Sequence, residues 1–217
     1  MSVQVDHPRF LTGTIKPMIV EPVTLEGQYV RLVPLSMDHH APLCNVLLDE
    51  DLWRWMPRQV LTAEAMNGFI QMTLKWRDEG NALPFATIYK PTNEVVGMSR
   101  YLTIERDHHN IEIGGTLVGK NWQRTPVNTE AKYLMLRHAF ETLSCLRVQF
   151  QTDSLNTKSR NAIVRLGATQ EGIFRNKIIC WDGRIRHSVY FSITDEEWPN
   201  VKANLEAKLA RPFTASG

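Results

Sequence analysis

The segment that decides the fold runs NIEIGGTLV (Asn110–Val118), GKNWQR (Gly119–Arg124) and TPVNTEAKYLMLRHAF (Thr125–Phe140). The first nine residues alternate as a strand does, with Ile111 and Ile113 on one face and Glu112 on the other. Thr125 suits an N-cap and Pro126 the first helical position, so a helix starts here and runs to about Leu143. Val127, Ala131, Leu134, Met135, His138 and Ala139 form its apolar face. A helix N-terminus carries unpaired backbone N–H groups and a partial positive charge, and Lys120 and Arg124 lie on its approach. Strand, loop and helix start together describe a cradle for a diphosphate, or an ordinary capped helix whose cations face water.

Working outward, LEGQYVRLVPL from Leu25 reads as a strand ending near Pro34, followed by a short helix from Ser36 to Leu48. Thr62 opens a longer helix to about Asp78. LPFATIYK, VVGMSRYLTI and NIEIGGTLV are three strands separated by turn signals. LRVQFQTD is a strand, NTKSRNAIVRLG a helix stopping at Gly167, two strands flank Trp181-Asp182-Gly183, and TDEEWPNVKANLEAKL closes the chain as a helix. This order predicts an α/β (α+β) fold around a mixed, mostly antiparallel sheet of about seven strands.

A chain of 217 residues with 43% apolar and 22% charged residues suits one domain, here residues 25–210 between an N-terminal extension (1–24) and a short tail (211–217). A net charge of +2, with Lys and Arg dispersed, argues against nucleic-acid and membrane partners. No leader or membrane-length apolar run is visible, and Cys44, Cys145 and Cys180 have no metal-ligand spacing, so the expectation is a cytoplasmic protein with reduced thiols and no metal.

IEIGG, WQR, NTEAKYLMLRHAFE, the N-T-K-S start of the later helix with Gly167 closing it, and ATQEG followed by Arg175 together resemble the GNAT superfamily of acetyltransferases. They resemble its ribosomal-protein-alanine (RimJ/RimL-type) branch in particular, over about Leu25 to Trp198. The resemblance implies a GNAT fold with a splayed central strand pair and acetyl-CoA, or another acyl-CoA, as co-substrate. The edge Thr116, Leu117 and Val118 would pair with the pantetheine arm, and the loop and helix start at Gln123, Arg124, Thr125, Val127, Asn128 and Thr129 would take the diphosphate. Pro126 and Asn128 occupy positions where the family expects small residues, and proline offers no N–H. The resemblance further gives Asn156 a place facing the cofactor arm and Ser159 a place near the thiol sulfur. Ile163 stands where many relatives carry a tyrosine acid.

Glu112 is the candidate base, since a partly buried carboxylate has a raised pKa; the alternative is a glutamate on a solvated face. His108 and His109 read as turn residues facing water, and His138 as a core histidine. The tryptophans and arginines of DLWRWMPRQV form either an aromatic wall for an acidic acceptor or core packing with solvated cations. The implied activity is N-acyl transfer to a protein N-terminus or a small amine, with a homodimer consistent with family habit. The competing readings are a non-catalytic acyl-CoA sensor and an interaction domain without cofactor.

Overall fold

The computed structural model describes Phe10 and residues 17–211; the rest of the N-terminal extension and the tail from 212 lie outside the described residues. One eight-stranded sheet carries the fold, in the order β1 (Leu25–Glu26), β2 (Val30–Pro34), β3 (Ala82–Tyr89), β4 (Glu94–Glu105), β5 (Asn110–Val118), β6 (Arg147–Asp153), β8 (Ile185–Thr194), β7 (Thr169–Ile179). Every neighbouring pair is antiparallel except β5 and β6. The eighth strand is the two-residue β1, because the segment read as one strand from Leu25 turns at Gly27 and pairs with itself.

The helices are α1 (His40–Leu47), α2 (Glu50–Trp53), α3 (Ala63–Asp78), α4 (Pro126–Arg137), α5 (Thr157–Leu166) and α6 (Trp198–Leu209). Local chemistry sets their ends. The Thr62 hydroxyl accepts the Ala65 N–H at 3.1 Å to start α3, and Gly167 takes φ 110° to stop α5. α2 overlaps the start of the aromatic segment, because the Asp49 side chain accepts the Asp51 N–H at 3.0 Å and caps it. α4 is shorter than expected: it gives way at His138 to a π-helical turn through Thr142.

Helices cover both faces of the sheet, so β3 is buried along nearly its whole length. On one face α4 and α6 pack over Tyr101, Ile111, Ile113, Val148 and Phe150. On the other, α1 and α3 pack over Ala86, Met98 and Leu117. Met18 is buried in the first of these clusters, so the described end of the N-terminal extension contributes to the core. Beyond β5 the second face carries Glu112, Gln149, Gln151, Tyr190 and Ser192 in register, a polar strip rather than a core.

Candidate active site

β5 and β6 hold register only over Asn110–Glu112 and Arg147–Gln149. Past that point β5 pairs with β4 alone and β6 with β8 alone, so the strands splay and each leaves one backbone edge unpaired by the sheet. The Gly119 N–H donates to the Val96 carbonyl of β4 at 2.9 Å, so strand alternation turns the N–H and C=O of Val118 into the opening. Gln123 donates from Nε2 to that Val118 carbonyl at 3.1 Å and accepts from Lys158 Nζ at the start of α5. The two banks of the opening are thereby tied at its mouth.

β5 also carries one extra residue, for Gly114 lies opposite Arg100 and Leu117 opposite Met98. The bulge uses Gly115 at φ 57° and brings Thr116 Oγ1 to 2.7 Å from Ser99 Oγ. Lys132 of α4 donates to both hydroxyls from beneath, 3.0 Å from Ser99. It has no carboxylate partner among the described residues, and burial pulls its pKa down to about 7. Because the folded value lies below the ordinary 10.5, the unfolded chain binds this proton first as pH falls. Stability from this group is therefore full above pH 10.5 and is lost as pH drops towards 7, by up to about 1.4 kcal/mol per pH unit. Urea titrations at pH 7 and pH 9 should show the wild type gaining on Lys132→Met as pH rises; parallel behaviour would mean that Lys132 stays charged.

Glu112 is the last residue of β5 paired to β6 and stands at the closed end of the splay. It is 2% exposed, which excludes the solvated-face alternative. Gln149 and Gln151 each donate to it at 3.1 Å. Burial raises its pKa, opposed by the Gln151 and Gln149 hydrogen bonds and by the Arg100 and Arg186 charges. Gly114 explains itself here: a Cβ on it would lie 2.8 Å from Glu112 Oε1. Gly114→Ala should displace the carboxylate and lower kcat about tenfold while leaving the melting temperature within a few degrees. An unchanged kcat would show that the position of Glu112 does not matter.

Around the start of α4, Thr125 caps as expected, but the Val127 N–H is taken by Thr125 Oγ1 at 3.3 Å. That leaves Asn128 as the first-turn donor without an intrahelical acceptor, since the carbonyl of the N-cap Thr125 faces the Thr129 N–H. Asn128 Oδ1 is buried without a donor. Arg124 is exposed at φ 61°. Lys120 does not belong to the cradle: Asp49 and Asp51, each at 2.8 Å, hold its ammonium at α2. Asn156 caps α5 by accepting the Ser159 N–H at 3.0 Å, which locks these two residues together. Ile163 is turned into the core, away from any acid role.

Among the histidines, His108 is exposed, but His109 is 6% exposed and bonds through Nδ1 to the Ser144 carbonyl at 3.0 Å, contrary to a water-facing turn. The half-buried His138 stacks on Tyr101 as a core histidine does. Trp53 is fully buried and donates to the Leu47 carbonyl at 2.7 Å, so it is core. Trp55 lies against the Arg54 and Arg184 guanidiniums at 5.0 and 5.4 Å. Sequence reasoning missed Arg100, Gln149, Gln151 and Lys158. The two glutamines alternate with Val148 and Phe150, a period-two signal that places them on the face of Glu112. No cluster of metal-ligating side chains occurs among the described residues, and no helix there is long and apolar enough to cross a membrane.

Comparison with known proteins accords with this geometry. A GCN5-related N-acetyltransferase from Brucella melitensis superposes with a TM-score of 0.85 at 31% identity, over 92% of this chain and 91% of that one. The ribosomal protein uS5-alanine N-acetyltransferase of Escherichia coli (strain K12) is 23% identical over 127 residues, 58% of this chain and 65% of that enzyme. Mycobacterium smegmatis RimJ, in complex with CoA-disulfide, shares the fold with a TM-score of 0.77 at 22% identity, over 89% of this chain and 97% of that one. Residues 30–169 match the acetyltransferase (GNAT) domain family, and the chain, with its splayed strand pair and buried carboxylate, belongs to that family of N-acetyltransferases.

Proposed function

We propose that the protein transfers an acetyl group from acetyl coenzyme A to a primary amine held above Glu112. The observation that carries this reading is the opening between β5 and β6 with a buried carboxylate at its closed end. The available groups suit such a donor. The Asn128 N–H and the Arg124 guanidinium can meet a diphosphate, with Gln123, Thr125, Val127 and Thr129 shaping the loop and first turn. The Thr116–Val118 edge and the orphaned Asn128 Oδ1 offer partners to the amides of the pantetheine arm. Coenzyme A supplies the activated thioester.

The chain's own part is to orient the amine, take its proton and provide donors for charge. An α-amine of pKa about 8 costs only about 1 kcal/mol to deprotonate at pH 7, against roughly 4.6 kcal/mol for a lysine side chain near 10.4. A single carboxylate of raised pKa is thus a sufficient base for an α-amine. The Val118 N–H, turned into the splay, is the donor for the acyl oxygen. The hydroxyl of Ser159, whose backbone N–H the Asn156 cap holds, is the candidate proton source for the leaving sulfur.

Thiol release from acetyl-CoA with a panel of amines tests the reading. Asn156→Ala and Ser159→Ala should each lower turnover by more than about tenfold without unfolding the chain. A rise in melting temperature with coenzyme A but no thiol release with any amine would instead identify a binding module.

A further inference from the structure

Arg100 is 7% exposed, yet its only hydrogen bond among the described residues goes from Nη1 to Thr73 Oγ1 at 3.3 Å, and its Nε is buried without an acceptor. Its guanidinium lies 5.4 Å from the ring centre of Phe69 and 5.2 Å from that of Trp76. A cation so placed keeps its plane against aromatic faces and leaves edge donors for an anion. It lines a cavity of about 170 Å³ together with Trp53, Phe69, Met72, Trp76 and the exposed Arg58. The two guanidiniums repel each other across this space, an effect that Glu112 offsets at Arg100 and that an entering anion would offset at both.

Glu112 does not line the cavity itself, and Arg100 is the link between the two. Arg100 lies opposite Gly114 in the register, and Leu102 opposite Glu112, so guanidinium and carboxylate stand on one face as diagonal neighbours. Gly115 makes room for Arg100, since a Cβ there would lie 2.6 Å from its Nε. On the far side of Glu112, Gln151 Oε1 is buried and lacks a donor. A ligand that answers all three groups carries an N–H donor for Glu112 and Gln151, a carboxylate for the two arginines, and an apolar remainder for the aromatic wall. The volume is far below the roughly 300–1,000 Å³ of clefts for drug-sized ligands, so that remainder is a side chain of a few carbons.

We propose that the acceptor is a free apolar α-amino acid, its carboxylate held by Arg100 and Arg58 and its side chain seated against Phe69 and Trp76. This rests on the transferase reading for the fate of the amine, and on the cavity alone for recognition. An N-terminal residue of a peptide carries an amide where the free amino acid carries its carboxylate, so the two acceptor classes are separable.

Titration calorimetry on the full chain should find L-leucine bound at least about tenfold tighter than L-leucinamide. Arg100→Met should reduce that preference below about threefold while folding, because an apolar side chain of similar length fills the same space against Phe69 and Trp76. Arg58→Ala, on the exposed rim, should lose about half of the preference on a logarithmic scale. Leucinamide binding as tightly as leucine, or a full preference surviving in a folded Arg100→Met, would overturn the proposal. Failure of the transferase reading looks different: the leucine preference persists, but neither compound releases thiol from acetyl-CoA.

Discussion

Glu112→Gln is expected to lower kcat for acetyl transfer by about a hundredfold or more, the usual worth of a positioned base. The substitution keeps the shape and leaves an oxygen for one donated hydrogen bond, so binding of the donor should hardly change. The pH profile separates a base from a merely structural residue. Burial raises the pKa of Glu112 above the ordinary 4.5, so the wild-type rate is present above that raised value and is lost as pH falls through it. That acid limb should vanish in the glutamine variant. The stability linkage has the opposite sense. A carboxyl with a raised folded pKa contributes most below its unfolded value, and that contribution is lost as pH rises. Glu112→Gln should therefore be as stable as the wild type at pH 7, or more so, as expected where a buried charge is kept for function. Equal rates in the two proteins would remove Glu112 from the mechanism.

Glu130→Ala should be the most destabilising single change in the structure's central helix. The Glu130 carboxylate, 4% exposed, accepts three backbone N–H groups: Gln28 at 2.7 Å, Tyr29 at 2.7 Å and Val30 at 2.6 Å. It thereby ties α4 to the turn between β1 and β2. Gly27 is needed in that turn because a Cβ would lie 2.4 Å from Glu130 Cδ. Truncation strands donors at about 1–3 kcal/mol each, and since the exposed Gln28 can turn its N–H to water, a loss of roughly 3–5 kcal/mol is expected. For a chain of this size that lowers the melting temperature by roughly 10 °C or more. Calorimetry would contradict the assignment if the change were within two or three degrees.

Glu130 also illustrates what the amino-acid sequence did not disclose. It lies 100 residues from Val30, and no local pattern pairs a helix glutamate with a distant turn. The strands, by contrast, were legible because alternation and turn residues are local signals. Asn110–Val118 was read to its observed bounds, and Gly167 was read as the stop of α5. Glu112 was legible as a residue type between two core isoleucines, but its burial depends on Gln149 and Gln151 from a strand almost forty residues away. Lys120 stayed open between a cradle and a surface role because a cation near a helix start looks the same whether it faces a ligand or two aspartates brought in from α2. Arg100 was invisible as a site residue because the cavity that gives it meaning is assembled from α3 and the segment after α2.

The measurement that bears most directly on this account is amide hydrogen exchange with and without saturating coenzyme A. If the splay and the first turn of α4 receive the donor, exchange should slow at Val118 and Asn128, whose N–H groups have no acceptor within a strand or helix. Unchanged exchange at both, with the ligand bound elsewhere or not at all, would contradict it.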